Sequence, residues 1–511
     1  MHNIVQNGAK SKGKVMENKD NHKAEIYYYD IGDYLSREQK LDIITNFKSM
    51  ENLPFTRLKP NEHGDWIGQR NDKFGTWIPI EADKKFDNAT KSFFTTYAIG
   101  VATNRDSWVY NFSTKVLTEN MKRMIDFYNQ ERQSFANKLK DNPDLKVDDE
   151  VSNDSTKISW TVNLKNDLKR NKKREFKESD LLLGVYRPFQ KENLYLSDGF
   201  IERPGLSKKL FPTQNHKNFV ICTQSIAGKH EFTPLITNCI ADLHFNGDTQ
   251  CFPLYWYETI EPEQNSLFGD DCAQIVRHEA ISDFILERAQ GKYGNKVQRE
   301  DIFYYVYGIL HSKSYRETFS ADLKKMLPRI PLVSDYEKFW AFSKAGRELA
   351  DLHLNYEKVA PYPEVKVESL SKDTYEIPQP KFMPEDERMV AEGNSAATGS
   401  DDFNYYAVEQ MKFPKKGQKD TIIYNHYHTI KNIPEKACEY VVNGKSAIEW
   451  IMERYAVTTD KKSGITNNPN DWSREHNKPR YILDLLLSVI NVSVQTVDIV
   501  NSLPEVDWEK E

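Results

Sequence analysis

The sequence is poor in cysteine: its 511 residues include five, an odd number, and no two of them are spaced as CxxC. Neither a disulfide scaffold nor a structural zinc site is therefore expected, and a reducing compartment is the simplest setting. The polar N-terminus lacks the apolar segment of a signal peptide. The most apolar late stretch, residues 481–494, contains Asp484 and is judged too short to cross a bilayer. We therefore expect a cytoplasmic protein with no membrane partner.

Several enzyme motifs are also absent from the sequence. No Pro-Pro pair occurs, so the Asn/Asp/Ser-Pro-Pro-aromatic loop of amino methyltransferases is missing, and residues 468–472 (NPNDW) resemble it only superficially. The GKS at 444–446 lacks the upstream glycine of a phosphate-binding loop. No glycine-rich loop is placed to hold S-adenosylmethionine. We therefore expect no cofactor in this chain, and whether it is an enzyme by itself stays open.

Histidine gives little support for a metal site. His426 and His428 would lie on one face of the predicted strand 421–434, but no third ligand is visible, so a polar strand face is favoured. His311 and His353 lie on or at the ends of apolar helices and are interpreted as core or boundary residues. The sequence therefore predicts no metal centre.

What the sequence does contain is enough apolar material for more than one core. Hydrophobic residues make up 39% and aromatic residues 12% of a chain whose length indicates two to four domains. Residues 26–35 predict a strand, and Ser36 with Gln39 predicts a capping box that opens a helix. Apolar residues at helical spacing between 117 and 128 predict a long second helix. The strands predicted further on are KISWTVN (157–163), LLLGVYRPF (181–189), NLYLS (193–197), NFVICTQS (218–225) and CFPLYWYE (251–258).

Changes of composition along the chain divide it into six predicted segments. They are a disordered lead (1–25), a connector with a strand and a long helix (26–148), a β-rich domain (150–270), a helical segment (271–360), a flexible excursion (361–403) and a C-terminal α/β segment (404–511). The predicted fold class is therefore α+β, a mixed β-rich domain flanked by helical segments.

Residues 157–177 form a strongly basic stretch. They contain eight cations and two acids, a local net charge of +6 in a chain of net charge −6. Lysine is a mobile point charge suited to phosphate contacts with DNA of any sequence, although a solvated loop would have the same composition. The cations of this stretch that are predicted to contact DNA are Lys169, Arg170, Lys172, Lys173 and Arg174.

The following stretch, 184–217, places cations and aromatic residues among predicted turns. Arginine on a rigid turn can bond guanine through two parallel hydrogen bonds, which lysine cannot do. The aromatic residues Phe189, Tyr195 and Phe211 are interpreted as sheet core rather than as stacking platforms. In the turn 103–106, Arg105 is predicted either to touch phosphate or to hold a structural turn. The further predicted DNA contacts are Arg187, Arg203, Lys208, Lys209, Gln214 and Lys217.

Several long stretches, taken in order, resemble one family. YYYDIGDYLSREQKL (27–41), NEHGDWIGQRNDKF (61–74) and GVATNRDSWVYNFS (100–113) are similar to the region after the methyltransferase in type ISP restriction–modification enzymes. GVYRPFQKENLYLSDGFIERPG (184–205) resembles their target-recognition domain, and SGITNNPNDW (463–472) resembles the rest of their C-terminal specificity region. The resemblance runs from about residue 26 to the end of the chain.

This resemblance implies that the chain is the specificity part of a larger enzyme of phage defence. Residues 150–270 would recognise double-stranded DNA, and the strand at residue 26 would be a remnant of the methyltransferase sheet. The methyltransferase and the helicase–nuclease, with their S-adenosylmethionine and ATP with Mg, would lie in cis or in a separate chain and carry out adenine-N6 methylation and cleavage. The alternatives are a partial site-specific DNA methyltransferase and an assembly subunit that docks a separate catalytic chain.

Overall fold

The structure, a computed structural model, describes residues 25–32, 35–87, 89–260, 274–371 and 400–511. It divides into two units, Met1–Gly75 and Thr76–Glu511, and each is described by itself. Of the predicted lead 1–25 only residue 25 is described, and most of the predicted excursion 361–403 lies outside the described residues.

The helices range from single turns to a helix of 28 residues. In chain order they are α1 (Arg37–Phe47), α2 (Asp72–Thr76), α3 (Asp106–Val109), α4 (Thr114–Asp141), α5 (Val147–Glu150), α6 (Val162–Lys169), α7 (Ser207–Leu210), α8 (Asp283–Tyr293), α9 (Arg299–His311), α10 (Lys313–Thr318), α11 (Ser320–Leu323), α12 (Tyr336–Leu354), α13 (Ser400–Tyr406), α14 (Ala447–Arg454), α15 (Pro469–Glu475) and α16 (Tyr481–Asn501). Short 3₁₀ helices lie at Met50–Asn52, Glu178–Asp180 and Glu435–Cys438.

The strands are short and belong to several small sheets. In chain order they are β1 (Ile26–Tyr28), β2 (Thr56–Leu58), β3 (Ile78–Pro79), β4 (Ala98–Ile99), β5 (Tyr110–Asn111), β6 (Leu181–Arg187), β7 (Gln190–Tyr195), β8 (Val220–Thr223), β9 (Leu235–Thr237), β10 (Ile240–Ala241), β11 (Gln250–Pro253), β12 (Tyr255–Ile260), β13 (Gln274–Glu279), β14 (Arg329–Ile330), β15 (Lys366–Ser369), β16 (Ile422–Ile423), β17 (His428–Lys431), β18 (Val441–Val442), β19 (Lys445–Ser446), β20 (Thr458–Thr459) and β21 (Thr466–Asn467).

The first unit contains an antiparallel ribbon of β1 and β2 together with helix α1. The predicted capping box is confirmed, because the backbone N–H of Gln39 donates to Ser36 Oγ and the backbone N–H of Ser36 donates to Gln39 Oε1. The two reciprocal bonds satisfy backbone donors that the first turn of a helix leaves unpaired. Leu41 and Ile44, on the predicted apolar side of this helix, remain about half exposed.

Two four-stranded sheets form the centre of the second unit. One has the order β10-β6-β7-β5, with β6 and β7 as an antiparallel hairpin and β10 parallel to β6. The other is antiparallel and has the order β4-β11-β8-β9. These strands confirm the four predictions at 181–189, 193–197, 218–225 and 251–258. Together with the helices they give the predicted α+β fold.

The predicted strand at 157–163 is wrong, because helix α6 begins at Val162. Thr161 is the N-cap residue of this helix, and its Oγ1 accepts from the backbone N–H of Leu164 at 3.4 Å. Leu164 and Leu168, four residues apart, are both buried. An N-cap and a helical apolar spacing therefore outweigh the β-propensity of the isoleucine, tryptophan, threonine and valine at 158–162.

The predicted long helix is confirmed as α4, which extends over 28 residues. Ser113 caps it, since Ser113 Oγ accepts from the backbone N–H of Val116 at 3.0 Å. The apolar residues expected on its inner side are all buried, and they are Leu117, Met121, Met124 and Tyr128. Because α4 also packs against α6 and β7, it supports both the basic stretch and the central sheet.

Helix α16 is longer than the apolar stretch recognised in the sequence. Among the described residues it is the helix whose length and composition would allow it to cross a membrane, so the expectation that this segment is too short is wrong. Most of the apolar part of this helix is buried inside the protein, and Leu483, Leu486 and Ile490 are fully enclosed. This is the position of a core helix in a soluble protein.

Helices α9 and α12 cross in close contact because glycine lies at their crossing point. A Cβ atom on Gly346 of α12 would collide with the backbone carbonyl oxygen of Tyr304 on α9, and one on Gly308 of α9 would collide with that of Phe342 on α12. Ser343 Oγ also donates across the contact to the carbonyl oxygen of Asp301 at 2.8 Å. Small residues thus set the distance between the two helices.

We expect Gly346→Ala to destabilise the protein. Alanine favours a helix over glycine by about 0.5–1 kcal/mol, but the added methyl group would force two backbones apart at a cost of typically 1–3 kcal/mol. Gly291→Ala is the matched control, since Gly291 lies in α8 with no atom within 4 Å of its would-be Cβ, and this change should stabilise. Urea unfolding of both variants measures the difference. Equal effects of the two substitutions would contradict the close crossing.

Candidate nucleic-acid interface

The basic stretch 157–177 folds as helix α6 followed by a loop. Lys169 is the last residue of α6, Arg170 follows as its C-cap, and Asn171 reverses the chain with a φ of 52°, a left-handed conformation that asparagine tolerates. Lys169, Arg170 and Lys172 are exposed, and no side-chain partner is found for them among the described residues. These three predicted DNA contacts are therefore presented to solvent together.

Two other predicted contacts in this loop are held by acids. Arg174 forms an ion pair with Asp167 of α6, and both side chains are about nine-tenths buried. Lys173 Nζ lies 2.7 Å from Glu175 Oε1, but both side chains of that pair are mostly exposed to solvent. A buried pair with good geometry fixes the two segments, whereas an exposed pair contributes little. Arg174 is therefore a residue that positions the loop.

The turn segment 198–209 lies beside α6. Asn163 Nδ2 donates to the carbonyl oxygen of Glu202 at 2.8 Å, which attaches the segment to the helix. Arg203 forms two backbone hydrogen bonds with Ala102, of 2.9 and 3.0 Å, while its side chain is exposed and has no partner among the described residues. Its backbone is thus fixed and its guanidinium is accessible.

Asp198 connects this turn electrostatically with the basic loop. Lys208 Nζ donates to Asp198 Oδ1 at 2.9 Å, and this hydrogen bond, aided by the charges of Arg174 and Lys172, lowers the pKa of the Asp198 carboxyl. The structure thereby brings two separate parts of the basic prediction to one place. We call the resulting patch the basic surface, and it consists of Lys169, Arg170, Lys172, Arg203 and Lys208.

The remaining predicted contacts in the turn region are partly engaged. Lys209 Nζ lies 4.6 Å from the ring centre of Phe86 and 5.6 Å from that of Trp256. Gln214 Nε2 donates to the carbonyl oxygen of Leu181 at 2.6 Å. Lys217 is exposed, and its carbonyl oxygen accepts from the hydroxyl of Tyr257.

Arg187 points away from solvent into an acidic network. Its Nη1 donates to Asp242 Oδ1 at 2.7 Å, its Nη2 is 3.9 Å from Asp106 Oδ2, and its guanidinium lies 3.9 Å from the ring centre of Tyr186. Tyr186 in turn donates from its hydroxyl to Asp106 Oδ2 at 2.9 Å. The side chain of Arg187 is only 13% exposed, so the fold uses it as an internal cation.

Arg105 is more deeply buried still, with 3% of its surface exposed. Its Nη2 donates to Oγ1 of Thr161, the N-cap of α6, at 2.6 Å. Burial lowers the pKa of the guanidinium to about 10, so the group stays charged at neutral pH. A phosphate contact predicted for this residue would have to be made from inside the protein, whereas the structural role in the turn 103–106 fits its surroundings.

Arg105 lines a polar cleft of about 550 Å³, within the range of ligand pockets, and the two acidic partners of Arg187, Asp106 and Asp242, line it as well. One side is the sheet β10-β6-β7-β5, where Gly184 pairs with Glu192 and Tyr110 with Leu194, so that Tyr110, Gln190 and Glu192 share a face. The opposite side comes from the C-terminal part of the chain. The residues that line this opposite side include Glu453, Arg454, Thr458, Asp460 and Asn467.

Two carboxyl groups in the cleft hold protons more tightly than usual. Burial raises the pKa of Glu192 to about 7, although Asn467 Nδ2 donates to its Oε2 at 2.9 Å and the amide of Gln190 donates to Oε1. Burial also raises the pKa of Asp242 to about 6, against the lowering effect of the Arg187 charge. Near neutral pH, Glu192 can therefore both accept and donate a hydrogen bond.

Little in the local sequence indicates this cleft. Gln190 and Glu192 lie between the predicted strands 181–189 and 193–197 but belong to β7 in the structure, and a carboxylate buried in a strand is unusual. Asp242 and Asn467, however, reach the same place from segments 50 and 275 residues from Glu192. Neither was recognised, because no local pattern relates them.

The interpretations of the aromatic and histidine residues are mostly confirmed. Phe189, Tyr195 and Phe211 are buried in the core, and His311 and His353 are buried as well, with His353 bonded to the hydroxyls of Tyr307 and Thr496. The predicted strand 421–434 is interrupted, and only His428 begins a strand, so the two histidines do not share a strand face. Within the described ranges, no group of histidine, cysteine and acidic residues could hold a metal ion.

Residues 468–472 also have a structural role. Asn468 is the N-cap of α15, accepting from the backbone N–H of Asn470 at 3.1 Å, and Pro469 takes the first helical position, where its missing N–H costs nothing. The ring of Trp472 stacks on His476 with centres 3.9 Å apart. The segment therefore caps and opens helix α15.

Known structures provide an independent comparison for the whole chain. The chain matches a nuclease-deletion mutant of the Type ISP restriction-modification enzyme LlaGI, solved in complex with a DNA substrate mimic, with 39% identity, 96% of this chain and 40% of that chain covered, and a TM-score of 0.74. It matches the ATP-dependent Type ISP enzyme LlaBIII bound to DNA with 36% identity, 94% and 28% coverage, and a TM-score of 0.73. It matches a DrdV–DNA complex with 26% identity, 94% and 43% coverage, and a TM-score of 0.70.

The chain spans less than half the length of each of these three proteins. No curated protein matches it. The family model described as the Type ISP C-terminal specificity domain matches residues 92–485, which include the basic surface and the cleft. This chain belongs to the Type ISP C-terminal specificity domain family.

Proposed function

We propose that this chain recognises a sequence in double-stranded DNA and is the specificity part of a Type ISP restriction–modification system acting in the cytoplasm. The observation that carries the proposal is the basic surface in a member of the specificity-domain family. Lys169, Arg170 and Lys172 supply mobile positive charge without acid partners among the described residues, which suits contacts to phosphates. Arg203 adds a guanidinium on a fixed backbone, which suits a base edge.

The similar proteins support the same function. LlaGI, LlaBIII and DrdV were each solved with DNA or a DNA mimic, and this chain aligns with them over at least 94% of its own length. Adenine-N6 methylation and DNA cleavage would be performed by separate methyltransferase and helicase–nuclease domains, in cis or as a separate chain. These domains would bind the S-adenosylmethionine and the ATP with Mg. The chain itself would recognise the target DNA sequence and so contribute to phage defence.

The first test concerns the salt dependence of binding. Each phosphate contact made by a protein cation steepens the fall of the logarithm of affinity with the logarithm of salt concentration by roughly 0.9. Changing Lys169, Arg170 and Lys172 to glutamine should therefore make the slope shallower by roughly 0.9 for each contact that is lost. Fluorescence anisotropy of a labelled duplex over a range of salt concentrations measures the slope.

A matched control removes the same charge elsewhere. Lys412, Lys415 and Lys416 are exposed residues of the C-terminal part and do not belong to the basic surface. Changing all three to glutamine alters the net charge equally but should leave the slope nearly unchanged. Identical slopes for the two triple variants would show that only the overall charge matters and would refute the localised phosphate surface.

The second test concerns sequence recognition by Arg203. The preferred duplex is first selected from a random pool, and Arg203→Ala should weaken binding to it by about 1–3 kcal/mol if the guanidinium contacts a base. Arg203→Lys keeps the charge but not the paired hydrogen bonds, so it should lose most of the same preference. Competition between the preferred and scrambled duplexes measures both variants.

Arg288→Ala serves as the control for this experiment, because Arg288 is an exposed arginine on α8, outside the basic surface. It should leave the preference intact. If Arg203→Ala weakens binding equally for all duplexes, Arg203 contacts phosphate and the reading of bases must be assigned to other residues.

A further inference from the structure

The cleft beside the basic surface contains buried polar groups that the protein does not satisfy. Nε and Nη1 of Arg105, the hydroxyl of Tyr110 and the side-chain carbonyl oxygen of Gln190 are enclosed and have no protein hydrogen-bond partner. All three residues line the cleft and are at most 3% exposed. Buried polar groups are normally paired, so these atoms mark a place where a ligand would supply the missing partners.

The set of groups in the cleft selects the chemistry of that ligand. Guanidinium donors stand next to amide and carboxyl acceptors, and Asp106, Asp242 and Asp460 line the same space. Those carboxylates would repel a bare phosphate, and within the described ranges no cluster of ligands fits a metal ion. A neutral molecule that presents both donors and acceptors on one edge matches this lining better than an ion of either sign.

The wall of the cleft also favours a flat ring. The aromatic rings of Tyr110 and Tyr186 both line the cleft, with their centres 4.8 Å apart. Aromatic rings and arginine planes are the surfaces on which proteins stack unpaired bases. A nucleobase combines a flat ring with an edge of mixed donors and acceptors.

The cleft and the basic surface are neighbours in the fold. Ala102 lines the cleft, and the backbone hydrogen bonds of the same residue hold Arg203 of the basic surface. Strands paired in this way lie about 4.8 Å apart. A DNA strand that contacts Arg203 is therefore close enough to place a base at the mouth of the cleft.

We infer that this cleft binds one nucleobase as part of a nucleoside, and that during DNA binding the occupant is a base that has left the duplex held on the basic surface. The second half of this inference rests on the proposed function, whereas the first does not. The cleft would act within this chain and is separate from any pocket in a methyltransferase domain.

The experiment has two arms, the first of which needs no DNA surface. The fluorescent nucleoside 2-aminopurine deoxyriboside is titrated with the chain and then displaced by each of the four natural deoxynucleosides. We expect saturable quenching that is competed by at least one of them. His244→Trp and Thr458→Trp, two exposed positions on the rim of the cleft, should each weaken binding at least tenfold by filling the entrance.

His63→Trp is the control for size and hydrophobicity, since His63 is exposed in the first unit and does not line the cleft. It should bind the nucleoside as the unchanged chain does. Melting curves establish that the variants are folded, and two rim variants keep the test meaningful if one of them is not. Absence of saturable binding, or equal binding by the rim variants and the unchanged chain, overturns the nucleobase site.

In the second arm, 2-aminopurine replaces each adenine in turn within the selected duplex. At one position its fluorescence should rise several-fold on binding, as for an unstacked base, and the rise should disappear in His244→Trp. Anisotropy of the same samples reports whether the duplex is bound at all. If the nucleoside binds and the duplex binds but no position shows the rise in fluorescence, the proposal of an extrahelical base is overturned. The cleft would then be a site for free nucleosides only. Loss of duplex binding alone refutes the proposed function but not the cleft.

Discussion

A single buried guanidinium, that of Arg105, connects the polar cleft with the helix that carries the basic stretch. It lines the polar cleft with one edge and donates with another to Thr161, the N-cap of the helix that carries the basic stretch. Burying a charge is unfavourable unless polar groups surround it, and here the cost is visible as a lowered pKa of about 10. Because the Arg105 guanidinium remains charged at neutral pH, it still requires hydrogen-bond acceptors. Its bond to Thr161 therefore fixes the segment 103–106 against α6.

The cations of this region divide into a buried and an exposed group, and arginine occurs in both, since Arg170 and Arg203 are exposed. Arg105, Arg174 and Arg187 have planar groups with several donors, and the fold uses them in partly or fully buried contacts with specific acceptors. Lys169 and Lys172 are left in solvent, where a flexible point charge can follow a phosphate backbone. The net charge of −6 therefore says little about the surface that would meet DNA, because residues 157–177 alone have a net charge of +6.

The cleft shows how a site can be assembled from distant parts of a chain. Its sheet side is built from strands between residues 110 and 242, and its other side from residues 453–467, which the hydrogen bond between Asn467 and Glu192 ties to the sheet. A specificity domain of this family would thus contain both a charged outer surface and a shaped inner one. The charged outer surface suits affinity for any duplex. The inner cleft suits discrimination between ligands, because a wrong ligand would leave buried polar groups unpaired, which is unfavourable.

The sequence by itself determined the fold class, four of the eight strands of the two central sheets, the long helix α4 and its cap, and the family. These features depend on local periodicity, capping residues and long ordered motifs, which neighbouring residues are enough to specify. The start of helix α6 after Thr161 was also encoded locally, by an N-cap and a helical apolar spacing, although the preceding residues favoured a strand. Only the tertiary structure decided which cations are free and that a polar cleft exists at all. The reason is physical: exposure, ion pairing and the proton affinity of Glu192 depend on groups brought close from far along the chain, and no local pattern encodes those distances.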